Sequence, residues 1–441
     1  MKIQKGDKRI IRAWASYDWA NSAYALVISS AIFPIFFEKV TNQGGDDKLY
    51  FLGMAFKNTE LYSYALALSF LIVAVLSPLL SSIADYSGKK KSFMKFYTYL
   101  GSFSTMMLFF FTGKETVWLG LTFSVLASVG FWGSIVFYNA YLPEIAEEKD
   151  QDKVSAMGFA YGYVGSVILM LFNLSMILKP EFYGITSSTL PSRISFLTVG
   201  VWWITFAQYA FYVLPDNINE IKPPREKGYL LKGYKALLGV LKDLMHYKHL
   251  KRFLIAFFLY SFAAQTIFYV ASLFGSKELG LKKENLIITI LVIQIVGIFG
   301  ALGFSRISKW IGNIRALQVV LVIWIGITVN AFFLNKNNPN VETQFYILAA
   351  FVGMVMGSIQ ALSRSSYSKM LPDDTNKHAT YFSFYDVAEK LAIVGGTFSF
   401  GALEAITGSM KTSLLVMSLF FFAGVIILGS IRKFEEKKQL K

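Results

Sequence analysis

Ten stretches of this 441-residue chain contain no Asp, Glu, Lys or Arg, and each is at least 18 residues long. They are rich in Leu, Ile, Val and Phe, and about 20 apolar residues are enough for a helix to cross a lipid bilayer. Lipid leaves backbone polar groups no external partner, so these windows predict membrane-spanning helices. The windows are residues 61–84, 96–113, 116–143, 154–178, 194–215, 253–276, 285–305, 316–335, 343–363 and 412–431.

Two further apolar stretches carry charge. Residues 14–37 include Asp18. Residues 380–404 include Asp386, Glu389, Lys390 and Glu404. The first stretch is too long for a signal peptide, and no small-residue cleavage site follows Phe37, so we interpret it as a retained helix. The prediction is therefore twelve spans, with both chain ends on the same side of the membrane.

Lys and Arg are distributed unevenly between the two sets of loops. The set that includes the chain ends holds 31 of these residues and the opposite set holds 11. Cytoplasmic loops collect Lys and Arg, so we expect a multi-pass protein of the cell (inner) membrane with both termini in the cytoplasm. This asymmetry accounts for much of the net charge of +15 without a nucleic-acid partner.

Composition excludes several other classes of protein. Only 16% of the residues are charged and the mean hydropathy is +0.48, which excludes an ordinary soluble enzyme and a disordered chain. The absence of cysteine excludes disulfides, thiolate catalysis and Cys-based metal sites. His246 and His249 are three residues apart, but no carboxylate or Cys ligand pattern accompanies them, so a basic interfacial or solvated helix is the better interpretation. We expect no metal and no cofactor.

The chain is predicted to consist of two similar halves. The longest basic loop, residues 216–252, contains Pro223 and Pro224 and is interpreted as a cytoplasmic linker between bundles at residues 1–215 and 253–441. Leu-Pro-Glu at residues 142–144 and Leu-Pro-Asp at residues 371–373 are 229 positions apart, and Gly165 and Gly395 are 230 apart. Such an offset indicates duplicated, pseudo-symmetric six-helix units that move about a central site.

The loop between the second and third spans contains Asp85-x-x-Gly88-Lys89-Lys90-Lys91, which resembles the loop signature of the major facilitator superfamily. An Asp at a helix end can pair with cationic or helix-terminal groups of a neighbouring helix, and Gly permits a tight loop. We interpret the motif as a gating loop that latches one state of the protein. The alternative is a plain basic loop that only anchors the chain in the cytoplasm.

Four tracts extend the resemblance along both halves. Residues 12–24, 137–144, 357–365 and 382–390 read RAWASYDWANSAY, FYNAYLPE, GSIQALSRS and FSFYDVAEK. They are similar to the vacuole-effluxer-like family of the major facilitator superfamily, which is related to the fungal autophagy-related amino-acid effluxer and has many bacterial members. The tract near residue 382 departs from the family at Thr380 and Ser383. The resemblance implies the all-α major facilitator fold and efflux of small solutes such as amino acids.

Charged residues inside the spans are candidates for the substrate or ion pathway, because a charge at mid-membrane costs roughly 2.5–3.5 kcal/mol. Asp18 and Asn21 share one helix face, as do Asp386, Glu389 and Lys390. Gln360, Arg364 and Asn139 lie towards the same membrane face. In one interpretation Asp18, Asp386 or Glu389 carries a coupled proton. In the other, Asp386 and Lys390 form an ion pair within one helix, and Arg364 pairs with Asp18 or Glu389 as a permanent structural contact or a gate contact. We favour the gate contact over the proton carrier.

Neutral polar residues lie closer to the middle of the spans. They are Tyr24, Gln265, Tyr269 and Gln294. Their amide and phenol groups can bind the carboxylate or ammonium group of a zwitterion. Alternatively, they cross-link helices, where each hydrogen bond contributes about 0.6 kcal/mol.

The sequence as a whole predicts a secondary transporter that moves a small solute by alternating access. Its partners would be the solute, the lipid bilayer and, if transport is driven by a gradient, protons; downhill transport is left open. A monomer is expected. The alternatives are a membrane-embedded enzyme acting on a lipid-linked substrate, and a passive channel or scramblase. The chain shows neither an Asp-rich metal cluster nor a recurrent polar stripe in its spans, so the transporter is favoured over both.

Overall fold

The computed structural model describes residues 4–42, 48–51, 53–216, 229–372 and 375–439, and nearly all of them are helical. We refer to residues 4–216 as the first half and to residues 229–439 as the second half. The predicted linker falls partly outside the described residues, which include neither Pro223 nor Pro224.

The first half contains eight α-helices. They are α1 (Lys8–Ala23), α2 (Phe33–Thr41), α3 (Asn58–Ser87), α4 (Lys90–Met107), α5 (Val117–Ala140), α6 (Leu142–Ile145), α7 (Gln151–Leu178) and α8 (Leu190–Val213). A π-helical segment, Tyr24–Ile32, joins α1 to α2 without a break. Short 3-10 turns occupy Leu108–Phe110, Lys114–Thr116, Glu148–Asp150 and Pro180–Tyr183.

The second half contains seven α-helices. They are α9 (Tyr229–His246), α10 (Lys248–Leu273), α11 (Lys283–Ile311), α12 (Asn313–Phe333), α13 (Val341–Lys369), α14 (His378–Thr407) and α15 (Met410–Gln439). A second π-helical segment, Phe274–Glu278, extends α10. The later part of the predicted linker is thus helical: α9 packs against α3 and α10.

One element departs from the all-α prediction. Strands β1 (Lys48–Phe51) and β2 (Met54–Lys57) form an antiparallel hairpin in which Lys48 lies opposite Lys57. Alternation explains it: Leu49 is buried between exposed neighbours, and Gly53 has a φ of +80° in the turn. Two half-buried strands of four residues leave no long apolar window in the sequence, so the hairpin was not predicted.

Ten helical stretches among the described residues are long and apolar enough to cross a membrane. The other two predicted spans correspond to α4 and α14. Helix α4 begins with Lys90 and Lys91, and α14 carries the charges of the acidic tract around Asp386. The total of twelve spans therefore stays a prediction.

The helices of each half pack mainly among themselves, and a few helices join the halves. In the first half α1 packs against α7 and α8, and α4 packs against α5 and α8. In the second half α10 packs against α14 and α15, and α11 against α13. Helix α7 contacts α11 and α13 across the halves, while α14 contacts α3 and α5. The candidate site lies along this seam.

Candidate substrate pathway

A cavity of about 180 Å³ lies between the two halves. Its lining comes from α1 and the following π-helical segment, α5, α7, α10, α11, α13 and α14. Ten of the predicted pathway residues line it: Asp18, Asn21, Tyr24, Asn139, Gln265, Tyr269, Gln294, Gln360, Arg364 and Glu389. Asp386 and Lys390 are buried behind Glu389 and are not part of the lining.

The π-helical segment brings serine hydroxyls to the cavity. Ser29 and Ser30 line it, and Ser30 Oγ donates a hydrogen bond of 2.9 Å to the carbonyl oxygen of Ala25. Pro34 follows directly in the first turn of α2, and its missing N–H removes one normal helical hydrogen bond. π-helical turns within α-helices occur frequently at functional sites.

A buried ion pair joins the halves at one end of the cavity. Arg364 Nη1 on α13 lies 3.5 Å from Asp18 Oδ2 on α1, and their side chains are 3% and 5% exposed. Tyr138 donates a hydrogen bond of 2.7 Å to the same Asp18 oxygen. Arg364 also donates to Asn139 Oδ1 at 3.2 Å, and to Ser155 Oγ at 2.9 Å and its carbonyl oxygen at 2.7 Å. The guanidinium is therefore held by three helices of the first half.

Aromatic rings and one glycine enclose this ion pair. The guanidinium carbon of Arg364 lies 4.1 Å from the ring centroid of Phe159 and 4.9 Å from that of Trp14. A Cβ atom at Gly158 would lie 2.7 Å from Tyr138 Oη and 2.9 Å from Asp18 Oδ2. A larger residue than glycine at this position would displace the ion pair.

A second charged cluster lies on α14. Lys390 Nζ is 2.9 Å from Asp386 Oδ1, 3.0 Å from Glu389 Oε2 and 3.4 Å from the ring centroid of Trp132 on α5. Gln265 on α10 donates a hydrogen bond of 3.1 Å to Glu389 Oε1. Among the described residues, no donor other than the Lys390 ammonium group, 2.9 Å from Oδ1, approaches the buried Asp386 carboxylate.

The predicted gating loop contacts the second half. Asp85 accepts hydrogen bonds from the backbone N–H groups of Ala379 and Thr380 at 3.2 and 2.7 Å, and from the Thr380 hydroxyl at 2.7 Å. These N–H groups belong to the first turn of α14 and have no partner within the helix. Gly88 follows α3 with a φ of +66°, a conformation that glycine adopts at little cost.

The three lysines of this loop have different environments. Lys89 is exposed, but Lys90 and Lys91 are buried. Lys90 binds Glu144, which in turn lies 2.9 Å from His378 Nδ1 of the second half. Lys91 donates a hydrogen bond of 2.7 Å to the carbonyl oxygen of Leu214. Two of the three lysines therefore contact other parts of the protein, as a latch would require, and the latch itself stays a prediction.

A further polar cluster joins the halves and was not anticipated from the sequence. Asp152, in the first turn of α7, accepts hydrogen bonds from Ser308 at 2.9 Å and Asn313 at 2.7 Å, and Lys369 lies 2.8 Å away. Asn313 is the first residue of α12. We call the end of the bundle that carries this cluster, the gating loop and the start of α1 the terminal end.

Several neighbours of the predicted residues were also missed. Tyr163 donates to Gln360 across the halves at 2.8 Å, Tyr260 contacts Ser363 at 2.7 Å, and Trp132 lies against Lys390. Tyrosine and tryptophan are common in spans, so their types alone carried no signal. Tyr138 is different, because it stands beside Asn139 in one of the recognised tracts.

Comparison with known sequences identifies relatives along the whole chain. A family model described as "Vacuole effluxer Atg22 like" matches residues 6–440. An uncharacterized MFS-type transporter of Bacillus subtilis, YxiO, is 32% identical over 428 residues, which cover 95% of this chain and 94% of that protein. Autophagy-related protein 22-1 of Penicillium rubens is 22% identical over 469 residues, covering 88% of this chain and 78% of the relative.

Solved structures share the fold at low sequence identity. The human organic anion transporter MFSD10 has a TM-score of 0.73 at 10% identity, with 96% of this chain and 100% of that chain covered. The transporter FucP in its outward conformation has a TM-score of 0.68 at 13% identity, with 96% and 98% covered. FucP is a major facilitator superfamily transporter, and at this level of identity both similarities show the fold alone.

Proposed function

We propose a function from one premise: the chain belongs to the vacuole effluxer Atg22-like family of MFS-type transporters. Its relatives and structural neighbours are membrane transporters and not enzymes. On this premise the protein is a secondary transporter that moves a small solute by alternating access. The enzyme and channel alternatives have no comparable support.

The observation that carries the proposal is the cavity on the seam with polar contacts from both halves at one end. Asp18 and Arg364 meet across the halves beside the cavity, and Asp85 and Glu144 contact the start of α14 further towards the terminal end. These contacts involve few groups and lie in series. Breaking them would open the terminal end, while a matching closure at the other end would complete the transport cycle.

The proposed solute is an amino acid or a similar small metabolite. The cavity of about 180 Å³ is smaller than the roughly 300–1,000 Å³ of pockets for drug-sized ligands. Its lining combines amides, hydroxyls and a carboxylate, including Asn21, Gln294 and Glu389. These groups suit a solute that carries both an ammonium and a carboxylate group.

The two charged clusters are proposed to have different roles. The Asp18–Arg364 pair serves as a gate contact, because its buried charges are compensated only while the halves are together. Asp386 and Glu389 lie on α14, beside the cavity and away from this contact, and are the proposed carriers of a coupled proton. Transport would then be proton-coupled efflux.

The membrane arrangement is part of the proposal. The loops on the side of the chain ends hold 31 Lys and Arg residues and the opposite loops hold 11, which supports a protein of the cell membrane with both termini in the cytoplasm. Twelve spans in two six-helix bundles, at residues 1–215 and 253–441, agree with the contacts within each half. The functional unit is proposed to be a monomer.

Flux measurements in vesicles test the function. The purified protein would be reconstituted, and exchange of radiolabelled L-leucine would be measured with and without an imposed pH gradient. We expect saturable exchange that protein-free vesicles lack, and stimulation by the gradient. Exchange that the pH gradient does not stimulate would indicate downhill transport without proton coupling. Absence of flux for amino acids, peptides and sugars alike would contradict the proposal.

A further inference from the structure

The charges around the cavity do not balance. Among the residues that the structure describes, the charged lining consists of Asp18, Arg364 and Glu389, and the first two compensate each other. Behind Glu389, Lys390 provides one positive charge for two carboxylates, Asp386 and Glu389. With both carboxylates ionised, the Asp386–Glu389–Lys390 cluster therefore carries a net charge of −1 beside the cavity.

An uncompensated carboxylate is expensive in this place. The side chains of Asp386 and Lys390 are 2% and 1% exposed, and Glu389 is 15% exposed, so water screens them poorly. A buried charge without a counter-charge either takes up a proton or binds a cation. Among the described residues, Lys390 is the one cation in contact with Asp386, and it is shared with Glu389.

The walls near Glu389 suit an organic cation. Aromatic faces attract ammonium groups, and the cavity lining is rich in aromatic side chains. They are Trp132, Phe257, Tyr260, Phe268, Tyr269 and Tyr385. Gln265 fixes one oxygen of Glu389 and leaves the carboxylate at the cavity wall. A solute with an ammonium group would find a counter-charge and π faces in one place.

We propose that Glu389 is the binding site for the ammonium group of the transported solute, and that this group and a proton occupy the Asp386–Glu389–Lys390 cluster in alternation. The inference rests on the proposed transport function and names the chemistry of its solute. On binding, the O–H bond of the protonated carboxylic acid breaks and an N–H···O contact to the ammonium group forms. The released proton leaves to the aqueous side to which the cavity is open.

Other titratable groups around the cluster do not take part in this exchange at neutral pH. The phenols that face Glu389 or Asp386 are Tyr97 on α4, Tyr260 and Tyr269 on α10, and Tyr385 on α14. Tyrosine ordinarily ionises only near pH 10. Arg364 faces Tyr385 and is paired with Asp18. One proton is therefore exchanged for each ammonium group, in the direction opposite to the solute.

Three isosteric probes separate the ammonium group from the rest of the solute. L-leucine carries both charged groups, 3-methylbutylamine keeps only the ammonium group, and 4-methylpentanoate keeps only the carboxylate. Binding to the purified protein would be followed by intrinsic tryptophan fluorescence, and proton release by a pH indicator in weak buffer. We expect L-leucine and the amine to bind with release of about one proton, and the carboxylate not to release any.

Variants identify the residues. Glu389→Gln should weaken binding of L-leucine and the amine at least about tenfold and abolish proton release, because a charge-assisted contact is lost. Asp386→Asn should also abolish release, since it neutralises the cluster without touching the cavity lining. Glu389→Asp should retain release. Glu404→Gln, on the same helix but outside the lining, is the matched control and should behave like the parent protein.

The outcomes distinguish this inference from the proposed function. Unchanged amine binding and proton release in Glu389→Gln, retained release in Asp386→Asn, or no binding of either amine-bearing probe would overturn the ammonium site. If L-leucine flux in vesicles accompanied any of these results, the proposed transport function would still hold and only the ammonium site would be rejected. Binding and release that depend on Glu389, without vesicle flux, would uphold the site and contradict transport.

Discussion

At the scale of single residues, the site depends on buried groups whose partners come from other helices. Asp18 and Arg364 are 346 positions apart in the chain and form one ion pair. Removing one partner of such a pair leaves the other charge buried and unpaired, at a cost of roughly 3–5 kcal/mol. Single substitutions here should therefore act on stability and on transport together.

Asp18→Asn should lower both the thermal stability and the transport rate, because Arg364 loses its counter-charge. The double variant Asp18→Asn/Arg364→Gln should be no less stable than Asp18→Asn alone, since the uncompensated charge is gone. Thermal unfolding in detergent and vesicle flux provide the readouts. Asp7→Asn is the control: Asp7 is an exposed N-cap of α1, and Asn caps equally well. Full activity of Asp18→Asn would remove the pair from the mechanism.

Gly158→Ala tests the close packing around this ion pair. The added Cβ would lie within 3.0 Å of Tyr138 Oη, Asp18 Oδ2 and Arg364 Nη2, so we expect a loss of about 1–3 kcal/mol of stability and impaired transport. Gly303→Ala in α11 is the matched control, because nothing lies within 4 Å of its added Cβ. Equal unfolding temperatures for the two variants would contradict the tight packing.

At the scale of elements, the gating loop acts through the start of α14. Asp85 supplies the acceptor that the first N–H groups of α14 lack, and Glu144 binds both Lys90 and His378. The interaction of a carboxylate with a helix N-terminus contributes roughly 0.3–1 kcal/mol, and up to about 2 when partly buried. The contact of Asp85 with α14 is therefore weak enough to be broken during the proposed transport cycle.

Lys90→Glu should open the terminal end, because two carboxylates would face each other where Lys90 now binds Glu144. The chain has no cysteine, so a single cysteine at Ser261 in the cavity reports access without background. In inverted membrane vesicles we expect faster labelling by an impermeant maleimide in the Lys90→Glu background. Lys89→Glu is the control, since Lys89 is exposed. Equal labelling in both backgrounds would count against the latch.

At the scale of the whole molecule, the state of the protein depends on contacts between residues 4–216 and 229–439. The terminal end is held by separate clusters around Arg364, Asp85, Glu144 and Asp152. Because these clusters join the same two halves, opening must break them together. A change in one should therefore alter the balance of states throughout the seam.

The contact between Glu144 and His378 is one of the contacts that hold the two halves together. His378 Nδ1 lies 2.9 Å from Glu144, and Lys90 and Asp85 are the neighbouring charges. We expect His378→Ala to weaken closure of the terminal end by roughly 1 kcal/mol, about fivefold in maleimide labelling of the Ser261 cysteine. Unchanged labelling would show that this contact does not contribute to closure.

Many residues of the candidate site could be predicted from their type and their position within an apolar span. Asp18, Arg364 and Glu389 are charges in apolar spans, and lipid tolerates such groups only against a cavity or a partner. The ion-pair partner of each residue could not be predicted. Arg364 was expected to pair with Asp18 or Glu389, and the structure pairs it with Asp18. Asp152 stands in a charged stretch of the sequence that was interpreted as a loop, so nothing distinguished it from a solvent-exposed residue.

The sequence by itself determined the membrane helices, the basic asymmetry of the loops and the family, because these depend on properties read along one dimension. Tertiary structure alone decided that Asp85 meets the start of α14, that Lys90 and Lys91 are buried, and that Arg364 pairs with Asp18 across the halves. The reason is physical: a segment enters lipid according to its own composition, whereas an ion pair forms according to which helices pack together.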